Sequence, residues 1–283
     1  MNNYAAVVKP FEELTFCDDF MFGKTMEDLK LCREVIQCLL QREIGELEEI
    51  QEQKEFKFTS DGKPIRLDVY SRDDTGTIYD AEMQNKNNKS IDGLQLPKRS
   101  RFYQSSIDME VLNKNGRYKA LPDSNVMFIC TFDPFGYGLA QYTFNENCKE
   151  LPELKLNDGT EKHFYNCMYE GDDIPEELAS LYRYIRTGET EGTLTWKIEA
   201  AVEKGRKNEI WRSSYMKERT IIMDAIEEEY EGRLKAEERA ENAEKRTFEA
   251  EKEIMRLREL LEAEGIDYSE KVPEIAGTIP ATK

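Results

Sequence analysis

The chain has 283 residues and a mass of 33.1 kDa, which allows one sizeable core with an extension or two small domains. Its formal net charge of -18 argues against a generally basic nucleic-acid-binding protein. The charge is uneven, because the acidic and basic side chains of residues 61–140 balance to about zero. A local basic patch or a bound cation in that stretch could therefore still bind the phosphate backbone of a nucleic acid.

The cysteines and the single histidine bear on metal binding and on the cellular compartment. Six cysteines form no Cys-x-x-Cys pair, and His163 is the only histidine. This combination excludes an ordinary zinc site and favours buried free thiols in a reducing cytoplasm. No stretch has the pattern of a signal peptide or a membrane span, so we expect a cytoplasmic protein that does not enter a membrane.

The first predicted elements are a helix and a strand. Apolar residues recur at helical spacing over about 24–44 and predict one amphipathic helix, with Gly45 as its end. Residues 50–58 then predict a strand. The short motif Asp18-Asp19-Phe20-Met21-Phe22 stands just before the predicted helix.

A β-hairpin is predicted next. Residues 65–70 and 79–84 alternate apolar and polar side chains, as half-buried strands do. The turn signal Asp73-Asp74-Thr75-Gly76 lies between them.

The remaining predicted elements alternate and then become helical. A helix from about Pro97 to Asn113 has Phe102, Met109 and Leu112 as its predicted inner face. Residues 126–132 are apolar throughout, which predicts a strand buried on both faces of a sheet. Further elements are predicted as a strand-like run at 139–144, a short helix at 175–187 and nearly continuous helix from Leu194.

Two acidic side chains of the hairpin are the sharpest functional signal. If the hairpin is centred near Thr75, Asp68 and Glu82 lie seven residues from it on each side and face each other. Like charges directly opposite each other destabilise a sheet, and a divalent cation would offset that repulsion. Gln84 faces the same way and is suited to orienting a water or a phosphate, and the Met83 carbonyl is a further candidate metal ligand. The alternative is an ordinary solvated face of a hairpin.

The ordered set of motifs resembles the PD-(D/E)XK nucleases, and most closely the transposase-associated recombination-promoting nucleases. The matching segments cover roughly residues 15–190 and are Asp18 to Phe22, Arg66-Leu67-Asp68-Val69, Ala81-Glu82-Met83-Gln84, Arg99 to Gln104 and the strand Phe128–Phe132. The resemblance implies an α/β fold with a restriction-endonuclease-like mixed sheet flanked by helices.

The resemblance also implies roles for individual residues. Asp68 and Glu82 match the two acids that bind the metal in this superfamily. Gln84 stands where most members have lysine, which matches the Glu-x-Gln of the subgroup but supplies no positive charge. Glu34 on the first helix matches an additional acid that some members offer to the metal; the alternative is a surface acid.

Basic residues open the helix that follows the hairpin. Lys98, Arg99 and Arg101 stand in its first turn, where cations oppose the helix dipole and an anion would be favoured. We expect them to contact DNA phosphate, with a solvated basic turn as the alternative. Tyr103 is expected to line the cleft or to pack in the core.

The C-terminal region predicts a coiled coil. Its seam follows a 4-3-4-3 spacing through Ala236, Ala240, Ala243, Thr247, Ala250, Ile254, Leu257 and Leu261. A single helix cannot bury this seam, so we expect a homodimer, with packing back on the core as the alternative. The expected domains are a nuclease-like domain at 1–190, a helical extension with coiled coil at 191–264 and a disordered tail at 265–283.

These observations lead to two functional hypotheses of different classes. The resemblance implies a metal-dependent DNA endonuclease that hydrolyses phosphodiester bonds in recombination or mobile elements, with magnesium or manganese as cofactor. The alternative is a catalytically weak or inactive nuclease-fold protein that binds DNA or a protein partner and dimerises through its C-terminal helix. A purely structural dimerisation protein would leave the hairpin acids unexplained.

Overall fold

A computed structural model of the chain describes residues 9–56, 65–85, 95–112 and 117–265. Its strands are β1 (Leu47–Phe56), β2 (Ile65–Asp73), β3 (Ile78–Gln84), β4 (Ser124–Cys130), β5 (Gln141–Phe144) and β6 (Thr160–Asn166). Its α-helices are α1 (Asp19–Met26), α2 (Leu29–Leu40), α3 (Leu96–Leu112), α4 (Glu176–Thr187), α5 (Gly192–Arg206) and α6 (Glu209–Ala263). Short 3-10 helices lie at Phe11–Glu13 and Tyr118–Ala120.

The six strands form one mixed sheet in the order β1-β2-β3-β4-β6-β5. The first three strands pair antiparallel, whereas β3 pairs parallel with β4 and β4 pairs parallel with β6. The edge strand β5 is antiparallel to β6. Parallel neighbours need a crossover connection, and α3 lies in the segment that joins β3 to β4. The predicted α/β fold with a mixed sheet and flanking helices is confirmed.

The register of the predicted hairpin is also confirmed. Val69 pairs with Ala81 and Tyr70 pairs with Asp80. Continuing this register by one residue places Asp68 opposite Glu82, as the symmetry about Thr75 predicts. The strands are longer than predicted and approach the turn more closely, because the side chain of Asp73 caps the turn through the backbone N–H groups of Thr75 and Thr77.

The prediction of one helix over 24–44 is wrong. The segment forms α1 and α2, which are separated at Glu27 and Asp28. The carboxylate of Asp28 accepts N–H groups of the second helix, and such a cap starts a new helix. That helix ends at Leu40, before Gly45, because Gln41 adopts a left-handed conformation with φ of 53°.

Two predicted features extend beyond the described residues. The first strand is observed as Leu47–Phe56, and its predicted end at residue 58 lies outside the described residues. The predicted disordered tail lies outside them from residue 266 onward.

Apolar side chains are buried on both faces of the sheet. One cluster joins Val69, Ala81 and Met127 to apolar residues of α1, α2, α4 and α5. The other cluster joins Val126 and Phe128 to α3. Every residue of β4 is buried, which confirms the prediction of a strand covered on both faces.

The predicted inner face of α3 is wrong. Phe102 and Met109 are each 46% exposed, whereas Tyr103 and Ile107 belong to the buried cluster. The apolar residues of this helix form two competing stripes, and the sheet selects the one that Tyr103 presents to Phe128, with ring centroids 5.9 Å apart.

The helices of the second half agree with the sequence-based expectation. The helix predicted at 175–187 is observed as α4, and the nearly continuous helix from Leu194 is observed as α5 and α6. The chain divides into two compact units, Met1–Lys217 and Glu218–Lys283. The first unit extends past the expected boundary at residue 190, because Leu194, Ile198 and Val202 of α5 are buried in its core.

The cysteines agree in part with the prediction of buried free thiols. All six are free thiols, but Cys17 and Cys148 are half-buried and only the other four are buried. Within the described ranges, none of the helices combines the length and the apolar character that crossing a bilayer requires.

Candidate active site

Asp68 on β2 and Glu82 on β3 lie opposite each other in the register of the hairpin. The backbone N–H of Asp68 donates to Glu82 Oε1 at 2.8 Å. In return, the backbone N–H of Met83 donates to Asp68 Oδ2 at 3.1 Å. Each carboxylate therefore accepts an N–H group from the opposite strand, and this reciprocal arrangement fixes both acids at one point of the sheet.

The site lies at the carboxyl end of parallel strands. Glu82 and Gln84 of β3 stand beside Phe128 and Cys130 of β4. This edge of an α/β sheet is where ligands ordinarily bind, because the strands end there and loops surround the crevice.

Burial changes the protonation behaviour of Glu82. Its side chain is only 3% exposed. Burial and the neighbouring Asp80 carboxyl raise the pKa of Glu82 well above its usual value, while the Asp68 N–H and the Arg99 guanidinium oppose that rise. A buried carboxylate in this position gains stability from any cation that can reach it.

Asp80 is an acid of this site that sequence reasoning missed. It lies two residues before Glu82 on β3 and is completely buried. Among the described residues no N–H or hydroxyl group donates to its carboxylate oxygens, which interact with the carboxyl group of Glu82. Burial and the charge of Asp68 raise the pKa of Asp80 well above its usual value. Three carboxyl groups, those of Asp68, Asp80 and Glu82, are thus gathered in one small region.

Arg99 of α3 brings a positive charge to this acidic region. Its Nη1 donates to Gln84 Oε1 at 2.5 Å, and its Nη2 lies 3.4 Å from Glu82 Oε2. The same Nη2 donates to the hydroxyl oxygen of Tyr103 at 2.8 Å. The guanidinium also lies over the rings of Tyr103 and Phe128, 5.4 and 5.5 Å from their centroids. The predicted residues Gln84, Arg99 and Tyr103 are therefore brought together with Glu82.

Tyr103 takes one of its two predicted placements, in the core. Its ring packs in the buried cluster between α3 and β4, and its hydroxyl faces the polar group at Arg99. Burial and the charge of Glu82 raise its pKa, so the hydroxyl stays protonated.

Other predicted site residues lie farther from this cluster or contact it differently. Lys98 and Arg101 are exposed on the first turns of α3, beside Arg99. The Met83 side chain is buried, and its backbone contacts Asp68 through the N–H group. Glu34 is paired with Lys197 of α5 at 2.6 Å, and no contact found among the described residues joins it to Asp68 or Glu82. The structure therefore does not bring Glu34 into the site.

The residues present fit a hard divalent cation. As the side chains stand, the described residues contain no group of three or more acidic, cysteine or histidine side chains arranged around one ion position. The acids available are Asp68 and Glu82 on paired strands, with the buried carboxyl of Asp80 beside Glu82 and with no N–H or hydroxyl donor to it among the described residues. Magnesium binds through one or two carboxylates and keeps several waters, so Asp68 and Glu82 are a sufficient protein contribution.

A large cavity of the described structure lies away from Asp68, Asp80 and Glu82. It has a volume of about 610 Å³ and lies at the amino ends of β4 and β6, where its lining includes Arg42, Asp73, Asn125 and Glu161. None of the three site acids lines it. The polar side chains of Asp73 and Asn125 already hold partners there, so we assign no chemistry to this cavity.

Comparison with known families identifies a family for this chain. A family model described as PD-(D/E)XK nuclease family transposase matches residues 16–167, which is more than half of the chain. The matched segment contains Asp68, Asp80, Glu82, Gln84 and Arg99. Comparisons with curated proteins and with solved structures gave no significant match.

Proposed function

Because the chain belongs to the PD-(D/E)XK nuclease family transposases, we propose that it is a magnesium-dependent DNA endonuclease, with manganese as an alternative cofactor. The family assignment itself indicates a nuclease or transposase-like function, and PD-(D/E)XK nucleases typically use divalent metals. One observation carries the finer proposal: Asp68 and Glu82 lie on paired strands, and the carboxylate of each accepts an N–H from the other's strand.

The reaction proposed is hydrolysis of a phosphodiester bond. A divalent cation lowers the pKa of a bound water and offsets negative charge on the phosphate. Asp68 and Glu82 hold that cation, and the carbonyl of Met83 is a further ligand in this proposal. Gln84 orients the attacking water or a phosphate oxygen through its side-chain amide.

Arg99 supplies the positive charge that Gln84 cannot. With a cation held by Asp68 and Glu82, its guanidinium would be able to turn its donors from Glu82 toward the scissile phosphate. Arginine suits this task because its planar fork can donate two parallel hydrogen bonds to phosphate oxygens. The exposed Lys98 and Arg101 extend the basic surface along the same helix and hold neighbouring phosphates of the DNA.

The alternative function is a nuclease-fold protein that binds DNA without cutting it. Two observations favour it: glutamine replaces lysine at position 84, and the Arg99 guanidinium contacts Glu82 directly. If Arg99 remained on Glu82, it would compete with the cation for the same carboxylate.

We further propose that the protein is a homodimer held together by α6. This long helix presents apolar seam residues to solvent, including Ile254 and Leu257, which are 46% and 49% exposed. Association of two such seams removes this apolar surface from water.

Plasmid cleavage by the purified full-length protein tests the endonuclease proposal. We expect nicking or cutting with Mg²⁺ or Mn²⁺ and none with EDTA. Asp68→Asn and Glu82→Gln should each lower the rate at least about 100-fold, because each removes a charged ligand of the cation. Arg99→Gln should lower the rate by about 10- to 1000-fold while leaving the cation requirement intact.

Asp74→Asn is the matched control, because it makes the same chemical change on an exposed acid of the same hairpin. It should cleave as the parent does. Circular dichroism should show that every variant remains folded. An inactive parent that still binds DNA, tested with several DNA forms and both metals, would replace the endonuclease proposal with the alternative.

A further inference from the structure

The helix α6 carries a heptad pattern whose charged positions specify how two copies pair. The seam positions alternate between a (Ala240, Thr247, Ile254, Leu261) and d (Ala236, Ala243, Ala250, Leu257). No described residue from Glu218 onward is buried within the chain. Ile254 at a and Leu257 at d match the residue types that favour two-stranded parallel coiled coils.

The seam also tolerates its single polar residue. The hydroxyl of Thr247 donates to the carbonyl of Ala243 one turn earlier, at 2.9 Å. Its hydrogen-bonding requirement is therefore met within the helix, and its methyl group can face a partner helix without leaving the hydroxyl unsatisfied.

The flanking positions decide between parallel and antiparallel pairing. In a parallel, in-register dimer, each g residue lies near the e residue of the following heptad in the partner. All three such pairs formed by charged residues join opposite charges: Arg239 with Glu244, Arg246 with Glu251 and Glu253 with Arg258. Two-fold symmetry makes each pair occur twice.

An antiparallel dimer would use the same residues less favourably. In that arrangement e positions face e positions, and g positions face g positions. In the antiparallel register that overlaps the whole seam, Glu244 faces Glu251, whereas Glu237 faces Arg258 and Arg246 faces Glu253, so like-charge pairs occur that the parallel arrangement avoids. Such like-charge pairs oppose antiparallel association.

The ion pairs within α6 leave most of its charged e and g residues available to pair with a second helix. The pairs Lys235–Glu231 and Lys245–Glu241 join residues outside the e and g positions. Among the described residues, Arg256–Glu253 at 3.9 Å is the one ion pair within α6 that involves an e or g residue of this heptad set.

We propose that α6 binds a second copy of this chain as a parallel, in-register coiled coil over residues 236–261, with its direction set by the Arg–Glu pairs. The proposal rests on the proposed homodimer and not on nuclease activity. In a parallel pair both chains enter the coil at the same end.

Cysteine crosslinking of the full-length protein tests the direction and the register. Ala240→Cys and Leu257→Cys are made separately, and each protein is oxidised and run on a non-reducing gel. A parallel, in-register coil places identical seam positions together, so both variants should form covalent dimers. The parent under the same oxidant controls for its native thiols.

Charge reversal tests the pairs themselves by light scattering. Arg239→Glu with Arg246→Glu should weaken the dimer at least about 10-fold, and Glu244→Arg with Glu251→Arg should do the same. Mixing the two variants should restore dimers, because every altered g–e pair is again of opposite charge. Lys235→Glu with Lys245→Glu reverses the same number of charges at outward positions and should leave the dimer intact.

The outcomes separate the two proposals. A monomeric parent would overturn both the dimer and its direction. A dimeric parent whose two cysteine variants fail to crosslink, or whose charge variants are not rescued by mixing, would keep the dimer and overturn the parallel arrangement. Plasmid cleavage is measured separately and decides neither outcome.

Discussion

At the scale of single residues, Asp80 is the most unusual group in the site. Its carboxyl is completely buried near Asp68 and interacts with the carboxyl of Glu82, and among the described residues no N–H or hydroxyl group donates to its oxygens. An unsatisfied buried polar group destabilises a protein by about 1–3 kcal/mol. The raised pKa values of Asp80 and Glu82 mean that this cost grows as the pH rises and these carboxyls are driven to ionise.

Asp80→Asn should therefore stabilise the metal-free protein at neutral pH, by about 1–3 kcal/mol. The sign follows from the raised pKa: the carboxyl favours the folded state below its unfolded pKa, and this contribution is lost as the pH rises through the folded pKa. Urea unfolding in EDTA at pH 5 and pH 8 measures the effect, which should be larger at pH 8. A variant less stable than the parent at pH 8 would show that the carboxylate has a stabilising partner.

His163 gives a second residue-scale prediction. Burial, with a smaller contribution from Arg42, lowers its pKa to about 4. Its Nε2 lies 3.2 Å from Asn125 Oδ1 and its Nδ1 lies 3.2 Å from Thr143 Oγ1, which suits a neutral ring. Its contribution to stability is present above the unfolded pKa of about 6.5 and is lost as the pH falls toward 4.

Proton NMR measures this pKa directly, because His163 is the only histidine of the chain. The C–H resonances of the imidazole should remain those of a neutral ring down to about pH 5 while the protein is folded. A midpoint near 6.5 in the folded protein would contradict the prediction.

At the scale of elements, contacts with the sheet determine which face of α3 is buried. The helix buries Tyr103 and Ile107 and exposes Phe102 and Met109. Both sets of residues have helical spacing, so the sequence alone does not distinguish them. Contact between Tyr103 and Phe128 places Arg99, one turn earlier, over the acids.

Two alanine substitutions in α3, Ile107→Ala and Phe102→Ala, test which face of the helix is buried. Ile107→Ala should lower the free energy of unfolding by about 2–5 kcal/mol, because it leaves a cavity in the core. Phe102→Ala should change it by less than about 0.5 kcal/mol, because that side chain is largely exposed. Chemical denaturation measures both, and a larger loss for Phe102→Ala would support the face predicted from the sequence.

Some features of the candidate site could be predicted from the sequence, and others could not. The pairing of Asp68 with Glu82 was predictable because a turn and alternating strands set the hairpin register. The burial of β4 was predictable because its run of apolar residues is uninterrupted. Asp80 was missed because it alternates with apolar residues just as a solvated acid does, and only the packing of the sheet shows that it is buried. The contact of Arg99 with Gln84 was missed because it joins residues of separate elements.

At the scale of the whole molecule, the two compact units differ in how they gain stability. The unit Met1–Lys217 contains the sheet and both buried clusters. From Glu218 onward no described residue is buried, so this unit must gain stability from a partner or from its own helical propensity. The dimer and the candidate active site are therefore expected to depend on separate parts of the chain.

Truncation after Lys217 tests this separation. The shortened protein should remain folded and monomeric, because the buried clusters are retained and the seam is removed. Circular dichroism and light scattering measure the two properties. A truncated protein that stays dimeric would place the dimer contact in the first unit, and one that unfolds would show that the later helix supports the core.

The central claim is that Asp68 and Glu82 together form one divalent-cation site. Isothermal titration of Mn²⁺ into the full-length protein tests it most directly, with Asp74→Asn as the control. We predict one site per chain in the parent and the control, and loss of that binding in both Asp68→Asn and Glu82→Gln. Unchanged Mn²⁺ binding in these two folded variants would contradict the claim.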